Sequence, residues 1–213
     1  MNMEYVKPNE IEKRSFEIIT KELDESGIVL PADRARIIKR CIHTTADFDY
    51  AHTLVFSDDA VNRFAGLIRS GATIVTDTNM ALAGINQREL ENYGSQALCY
   101  MAEEDVIRKA AERGITRASV SVERAMKLPG SVIFVIGNAP TALVTIRQYL
   151  DSGDDTPAFV IGVPVGFVNV EAAKELIMES GVPHIVNKGR KGGSNVAAAI
   201  CNAMLYMMRD GVL

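Results

Sequence analysis

The chain has no tryptophan, and aromatic residues make up only 6% of it. With 47% apolar residues, its core must therefore be aliphatic, built from Val, Ile, Leu, Ala and Met. Cysteine is scarce and odd in number: Cys41, Cys99 and Cys201 lie far apart, each in or beside an apolar segment, and no CxxC occurs. This argues against a disulfide framework and a zinc site, and reads as reduced, mostly buried thiols. No long basic tract is present and the formal net charge is −4, which disfavours a nucleic-acid partner, since such binding rests on clustered Lys and Arg. No apolar run approaches the ~20 residues that span a bilayer. The N-terminal MNMEYVKPNEIEKRSFEII lacks the apolar core of a signal peptide. A cytoplasmic protein with no membrane partner is expected, and 213 residues fit a single domain, residues 1–213.

Two periodicities divide the chain. Ile11, Phe16, Ile18, Ile19 and Leu23 form a helical pattern after Pro8-Asn9, ended by Gly27. Pro31 is placed in the first turn of a second helix, carried by Ala35, Ile37, Ile38 and Cys41 up to His43. Ser57-Asp58-Asp59 is read as the cap of a third, which stops near Ser70-Gly71. Beyond it, short apolar runs at 72–76, 98–101, 131–136, 158–161 and 184–187 alternate with helical patterns at 103–113, 116–127, 139–150, 169–180 and 194–209. The runs are continuously apolar rather than alternating, as strands are when both faces are covered by helices. The expected fold class is α/β: a doubly wound, mainly parallel sheet with helices on both faces and N-terminal helices packed on it.

The densest polar cluster is Arg40-Cys41-Ile42-His43-Thr44-Thr45-Ala46-Asp47. Histidine is the side chain whose ordinary pKa, ~6.5, lies nearest neutrality, so His43 is the candidate acid/base, with Thr45 or Asp47 beside it. Ligands of open α/β sheets bind outside the carboxyl ends of the strands. Three strand ends here run into glycine: Gly137-Asn138-Ala139-Pro140-Thr141, Gly162-Val163-Pro164-Val165-Gly166, and Gly189-Arg190-Lys191-Gly192-Gly193-Ser194. Glycine lets backbone amides approach a ligand, and helix N-termini favour anions. A ligand with several negative groups is the reading, against the alternative that these glycines only make turns. Asn138, Thr141, Gly162, Pro164, Gly166, Gly189, Arg190, Gly192, Gly193 and Ser194 are the candidate contacts in these loops. Thr76-Asp77-Thr78-Asn79-Met80 follows the first strand run and is crowded with hydrogen-bonding side chains, with Thr78, Asn79 and Met80 its candidate contacts, and Arg117, following the N-cap candidate Thr116, is placed to clamp a carboxylate. No loop ends in GK[ST] or matches GxGxxG, so nucleotide binding is unsupported. His43 and His52 are not spaced to share a helix face, and no protein-bound metal is expected.

The chain resembles the precorrin-8X methylmutase family, including its cobalt-precorrin-8 branch. The resemblance rests on EKRSF (12–16), IHTTADFDYAHTLVFS (42–57), TDTNMALAGI (76–85), TRA (116–118), IGNAPTAL (136–143), IGVPVGFV (161–168) and GRKGGSNVAAA (189–199). It implies an isomerase of cobalamin biosynthesis that moves a methyl group from C11 to C12 of a polycarboxylate tetrapyrrole and releases a corrin. It also implies an α/β homodimer with no cofactor of its own, any cobalt being carried by the substrate. The family's catalytic histidine falls on His43, a substrate-contacting serine on Ser15, and the arginine of its TR motif on Arg117. One departure is visible: Asn169-Val170-Glu171-Ala172-Ala173-Lys174 stands where the family often has a small-residue pair and Glu-Ser-Lys. A non-catalytic corrin carrier is the alternative that the same anion loops would serve.

Overall fold

The structure, a computed structural model, describes residues 4–153 and 157–213. Residues 1–3, part of the stretch read above for a signal core, lie outside the described residues. The helices are α1 (Ile11–Glu25), α2 (Ala35–Thr45), α3 (Tyr50–Thr53), α4 (Ala60–Arg69), α5 (Asn79–Gly84), α6 (Gln87–Glu91), α7 (Glu104–Arg113), α8 (Arg117–Ala125), α9 (Pro140–Ser152), α10 (Val170–Met178) and α11 (Ser194–Arg209). The strands are β1 (Leu54–Phe56), β2 (Thr73–Thr76), β3 (Gln96–Leu98), β4 (Val132–Ile136), β5 (Phe159–Gly162) and β6 (His184–Asn187). They form one sheet in the order β1-β6-β5-β4-β2-β3, parallel except for β1, which runs antiparallel to β6. The α/β class with a doubly wound, mainly parallel sheet is what the apolar runs implied.

Alternation along the strands divides the core. Ile133, Val135, Phe159, Ile161 and Ile185 face a layer that includes α1, α2, α4 and α11. Val132, Phe134, Ile136, Val160 and Val186 face the layer of α7, α8, α9 and α10. Helix α11 is apolar almost all round, with Val196, Ile200, Met204 and Leu205 fully buried, and packs against both α2 and α5. Such a helix belongs in the interior. The register pairs Thr76 with Val135, Ile136 with Gly162, and Gly162 with Val186. The carboxyl ends of β2, β4, β5 and β6 are thereby level, and their loops share one edge.

Three local expectations are corrected. Helix α2 begins at Ala35, because Pro31–Arg34 forms a separate turn in which the Arg34 amide donates to the Pro31 carbonyl at 3.2 Å. Ser57 and Asp59 do not cap α4 through their side chains. Ser57 instead continues the β1–β6 ladder, its amide donating to the His184 carbonyl (3.0 Å) and its Oγ accepting from the His184 amide (2.8 Å). Asp59 takes a left-handed φ of 56° and accepts from the Asn62 amide side chain. The weak apolar run at 98–101 is a strand at Gln96–Leu98, since pairing with β2 starts at Thr73↔Gln96.

Candidate functional site

On α2, Ile37, Ile38, Cys41 and Ile42 are buried and fix the helix to the core. Arg36, Lys39, Arg40 and His43 recur at i, i+3, i+4 and i+7, and so occupy another single face. The helix ends where Ala46 turns left-handed (φ 55°) and returns its amide to the Ile42 carbonyl at 2.7 Å. His43 therefore stands exposed in the last turn. Its ring stacks on Phe16 of α1, centroids 5.2 Å apart and planes 24° apart. The Arg40 guanidinium lies 4.9 Å from the same phenyl ring and pairs with Glu12. Ser15, the neighbour of Phe16, donates its hydroxyl to the Ile11 carbonyl at 3.0 Å. Thr45 donates to the Cys41 carbonyl at 2.8 Å and accepts from the Asp47 amide at 3.2 Å, so its hydroxyl closes the helix end. Asp47 is held by Lys191, at 2.5 Å, rather than by His43. Among the described residues, no hydrogen bond reaches the His43 ring.

The sheet edge is organised by residues that are not among the candidate contacts. Asp77, 2% exposed, follows β2. Its carboxylate accepts the backbone amides of Gly137 (2.9 Å), Asn138 (2.8 Å) and Ala139 (2.6 Å). Burial raises its pKa and the three amides pull it back. The amides that the glycine loop seemed to offer a ligand are thus donated to the protein's own carboxylate, and Asn138 presents only its exposed side chain. Gly137 is required for another reason: a Cβ there would meet Ser194 Cα at 2.7 Å. Ser194 Oγ in turn contacts Thr78 Oγ at 2.7 Å, and Thr78 caps α5 through the Ala81 amide, leaving Asn79 and Met80 exposed in its first turn.

The other two loops close on each other. The Gly193 amide donates to the Val163 carbonyl at 2.9 Å and the Gly166 amide to the Arg190 carbonyl at 3.1 Å. A Cβ on Gly192 would fall 2.1 Å from the Val163 oxygen, and Pro164 is buried beside it. Gly162 lies within the sheet, where a Cβ would press on Val186. From α10, buried Lys174 donates to the carbonyls of Gly189 (2.7 Å) and Lys191 (2.8 Å), and burial pulls its pKa down to about 8. The buried Asn187 amide also donates to Lys191, at 2.9 Å. Arg190 pairs with Glu171 at 2.8 Å. Along the same edge the Thr116 and Thr141 hydroxyls meet at 2.8 Å, joining the starts of α8 and α9, and exposed Arg117 donates to the Met101 carbonyl at 3.2 Å.

The expected residues thus form two groups, Ser15 and His43 on the α1–α2 flank and the loop residues along the sheet edge. Lys191 links them, reaching Asp47 and Asp49 (2.6 Å) just past α2. The position of Asp77 directly after a β-branched strand, and the periodic cations of α2, were the signals available for what was missed.

This is a doubly wound α/β protein that presents an exposed imidazole on a cationic helix face. A sequence model described as precorrin-8X methylmutase matches residues 10–207. The chain belongs to the precorrin-8X methylmutase family. It is 44% identical to the cobalt-precorrin-8 methylmutase of Salmonella typhimurium over 98% of this chain and 100% of that one. Its identity with the cobalt-precorrin-8 methylmutase of Priestia megaterium is 39%, over 97% and 91%. Among solved structures, precorrin-8x methyl mutase from Thermus thermophilus superimposes with a TM-score of 0.85 at 35% identity, covering 96% of this chain and 100% of that one.

Proposed function

We propose that the protein moves the C11 methyl group of cobalt-precorrin-8 to C12, yielding a corrin heptacarboxylate, with His43 as the acid/base. The observation that carries this reading is an imidazole exposed at a helix end, held in place by stacking on Phe16 and hydrogen-bonded to no protein group among the described residues. The migration is intramolecular: the C11–CH3 bond breaks as the C12–CH3 bond forms. A proton given by His43 to the macrocycle polarises the π-system for that shift, and the same side chain takes a proton back afterwards, so none is gained or lost overall. Ser15 and Arg117 are assigned to the substrate, Arg117 through its planar fork. The protein works as a cytoplasmic homodimer in this reading, and cobalt arrives and leaves with the tetrapyrrole.

Single-turnover mixing with cobalt-precorrin-8 tests it. The absorbance of the precursor should give way to that of the corrin, and His43→Ala should slow this by about 10²–10⁴-fold, the usual weight of a general acid/base, with folding intact. A static precursor spectrum alongside tight corrin binding would make the protein a carrier. Wild-type turnover by His43→Ala would remove His43 from the chemistry.

A further inference from the structure

Two adjoining hollows, of about 250 and about 490 Å³, open between α1, α2 and α11. The first is lined by Phe16, Thr20, Arg36, Lys39, Arg40 and Tyr206. Its three cations come from the same α2 face as His43. Arg36 is answered by Asp210 at 2.6 Å and Arg40 by Glu12. Lys39 is the exception. It is half-buried, its only hydrogen bond among the described residues goes to the neutral hydroxyl of Thr20 (2.9 Å), and no described carboxylate comes within ion-pair reach. An ammonium drawn partly out of water with a single neutral acceptor is incompletely compensated. A carboxylate placed in this hollow would complete its shell.

We propose that this hollow is a carboxylate subsite, in which Lys39, flanked by Arg36 and Arg40, holds one acidic arm of the tetrapyrrole whose ring system lies over His43. The inference rests on the proposed function and deepens it. The first hollow, at about 250 Å³, is smaller than the roughly 300–1,000 Å³ that encloses a whole ligand, so it suits an arm rather than a macrocycle. Lys39 and His43 are four residues apart, about 6 Å along the helix axis, which is within reach of one arm extending from a ring edge. Phe16 forms the wall of the hollow and the stacking surface of His43 at once, so an occupied subsite also fixes the face on which the imidazole rests. The sheet edge is the competing location, but there the loop amides of residues 137–139 are already donated to Asp77, and that of Gly193 to Val163.

The test compares binding of cobyrinate and of its heptamethyl ester to wild type, Lys39→Gln and Lys39→Arg by absorbance titration. Glutamine keeps a donor for Thr20 but removes the charge. Lys39→Gln should weaken cobyrinate binding at least tenfold, Lys39→Arg should restore most of it, and the ester should bind all three proteins alike. Equal cobyrinate affinity for wild type and Lys39→Gln overturns the subsite, and so does an equal loss for acid and ester, which would report altered packing. The functional reading is judged separately, by wild-type turnover of cobalt-precorrin-8. Turnover with no Lys39 effect fells the subsite alone, and a Lys39 effect without turnover leaves it as the binding site of a carrier.

Discussion

At the carboxyl edge of the sheet, polar groups answer one another. Asp77 takes three backbone amides, Lys174 caps two carbonyls, and Asn187 bridges Thr53 and Lys191. On the α1–α2 flank the polar groups stop short of that. Among the described residues His43 is exposed with no protein hydrogen bond, and Lys39 has one neutral acceptor. Both regions are rich in the residue types that read as ligand-binding. At the edge most of those residues are engaged in shaping the loops, exposed Arg117 and the Asn138 side chain apart, whereas on the flank the capacity is still open. Substitutions at the edge should therefore show first as lost stability, and substitutions on the flank as lost turnover or affinity in a protein that still folds.

The largest stability effect is expected at Asp77. Asp77→Ala strands three amides in a buried loop, each costing about 1–3 kcal/mol, so a loss of roughly 3 kcal/mol or more should appear in urea unfolding. A loss below about 1 kcal/mol would mean that the loop finds other acceptors, and the contrast between the regions would weaken. Asp77 was legible only as one member of a polar stretch, because sequence shows that a carboxylate follows a strand but not that a neighbouring strand's loop brings three amides to it.

Lys174 sharpens the comparison through pH. Burial lowers its pKa from 10.5 to about 8, so the folded protein releases this proton before the unfolded chain does. Between those values the unfolded state binds more protons, and stability rises with pH. Wild type should thus gain on Lys174→Met as pH climbs from about 8 towards 10.5, with a constant difference below that window. Urea midpoints across the range check this. A difference that stays flat throughout would show that the ammonium is hydrated, and that this part of the edge resembles the flank.

The strands β2, β4, β5 and β6 were legible because burial on both faces makes them continuously apolar. β1 was not: its three residues lie at the sheet margin, directly after α3, with no turn residue to announce them. The glycines were recognised as loop residues, but not what they close upon. Gly192 is dictated by a carbonyl about thirty residues earlier in the chain, which no local pattern contains. On the flank, His43 stood out as a rare residue type among hydroxyls. Lys39 did not, since a lysine on a helix reads as solvated until a neighbouring helix walls it in. The spacing of positions 36, 39, 40 and 43 was nonetheless present in the sequence as a face.

The smallest effect is expected where the two regions meet. Lys191 bridges the β6–α11 loop to Asp47 and Asp49; Lys191 and Asp49 are exposed and Asp47 is partly buried. Exposed ion pairs are screened and contribute little at neutral pH. The hydrogen bond from Lys191 nevertheless holds Asp47 below the ordinary carboxylate value of 3.8. For a depressed carboxylate the stabilisation is complete above the unfolded value and fades as pH falls through the folded one. Lys191→Ala should therefore lower the neutral unfolding midpoint only slightly, the difference should vanish as pH falls below about 4 and Asp47 takes up its proton, and high salt should shrink it further. If instead the variant loses much of its neutral stability, the edge and the flank fold as one polar network through this lysine. The flank's groups would then be tied into the structure as tightly as Asp77, and the division between the two regions would fall.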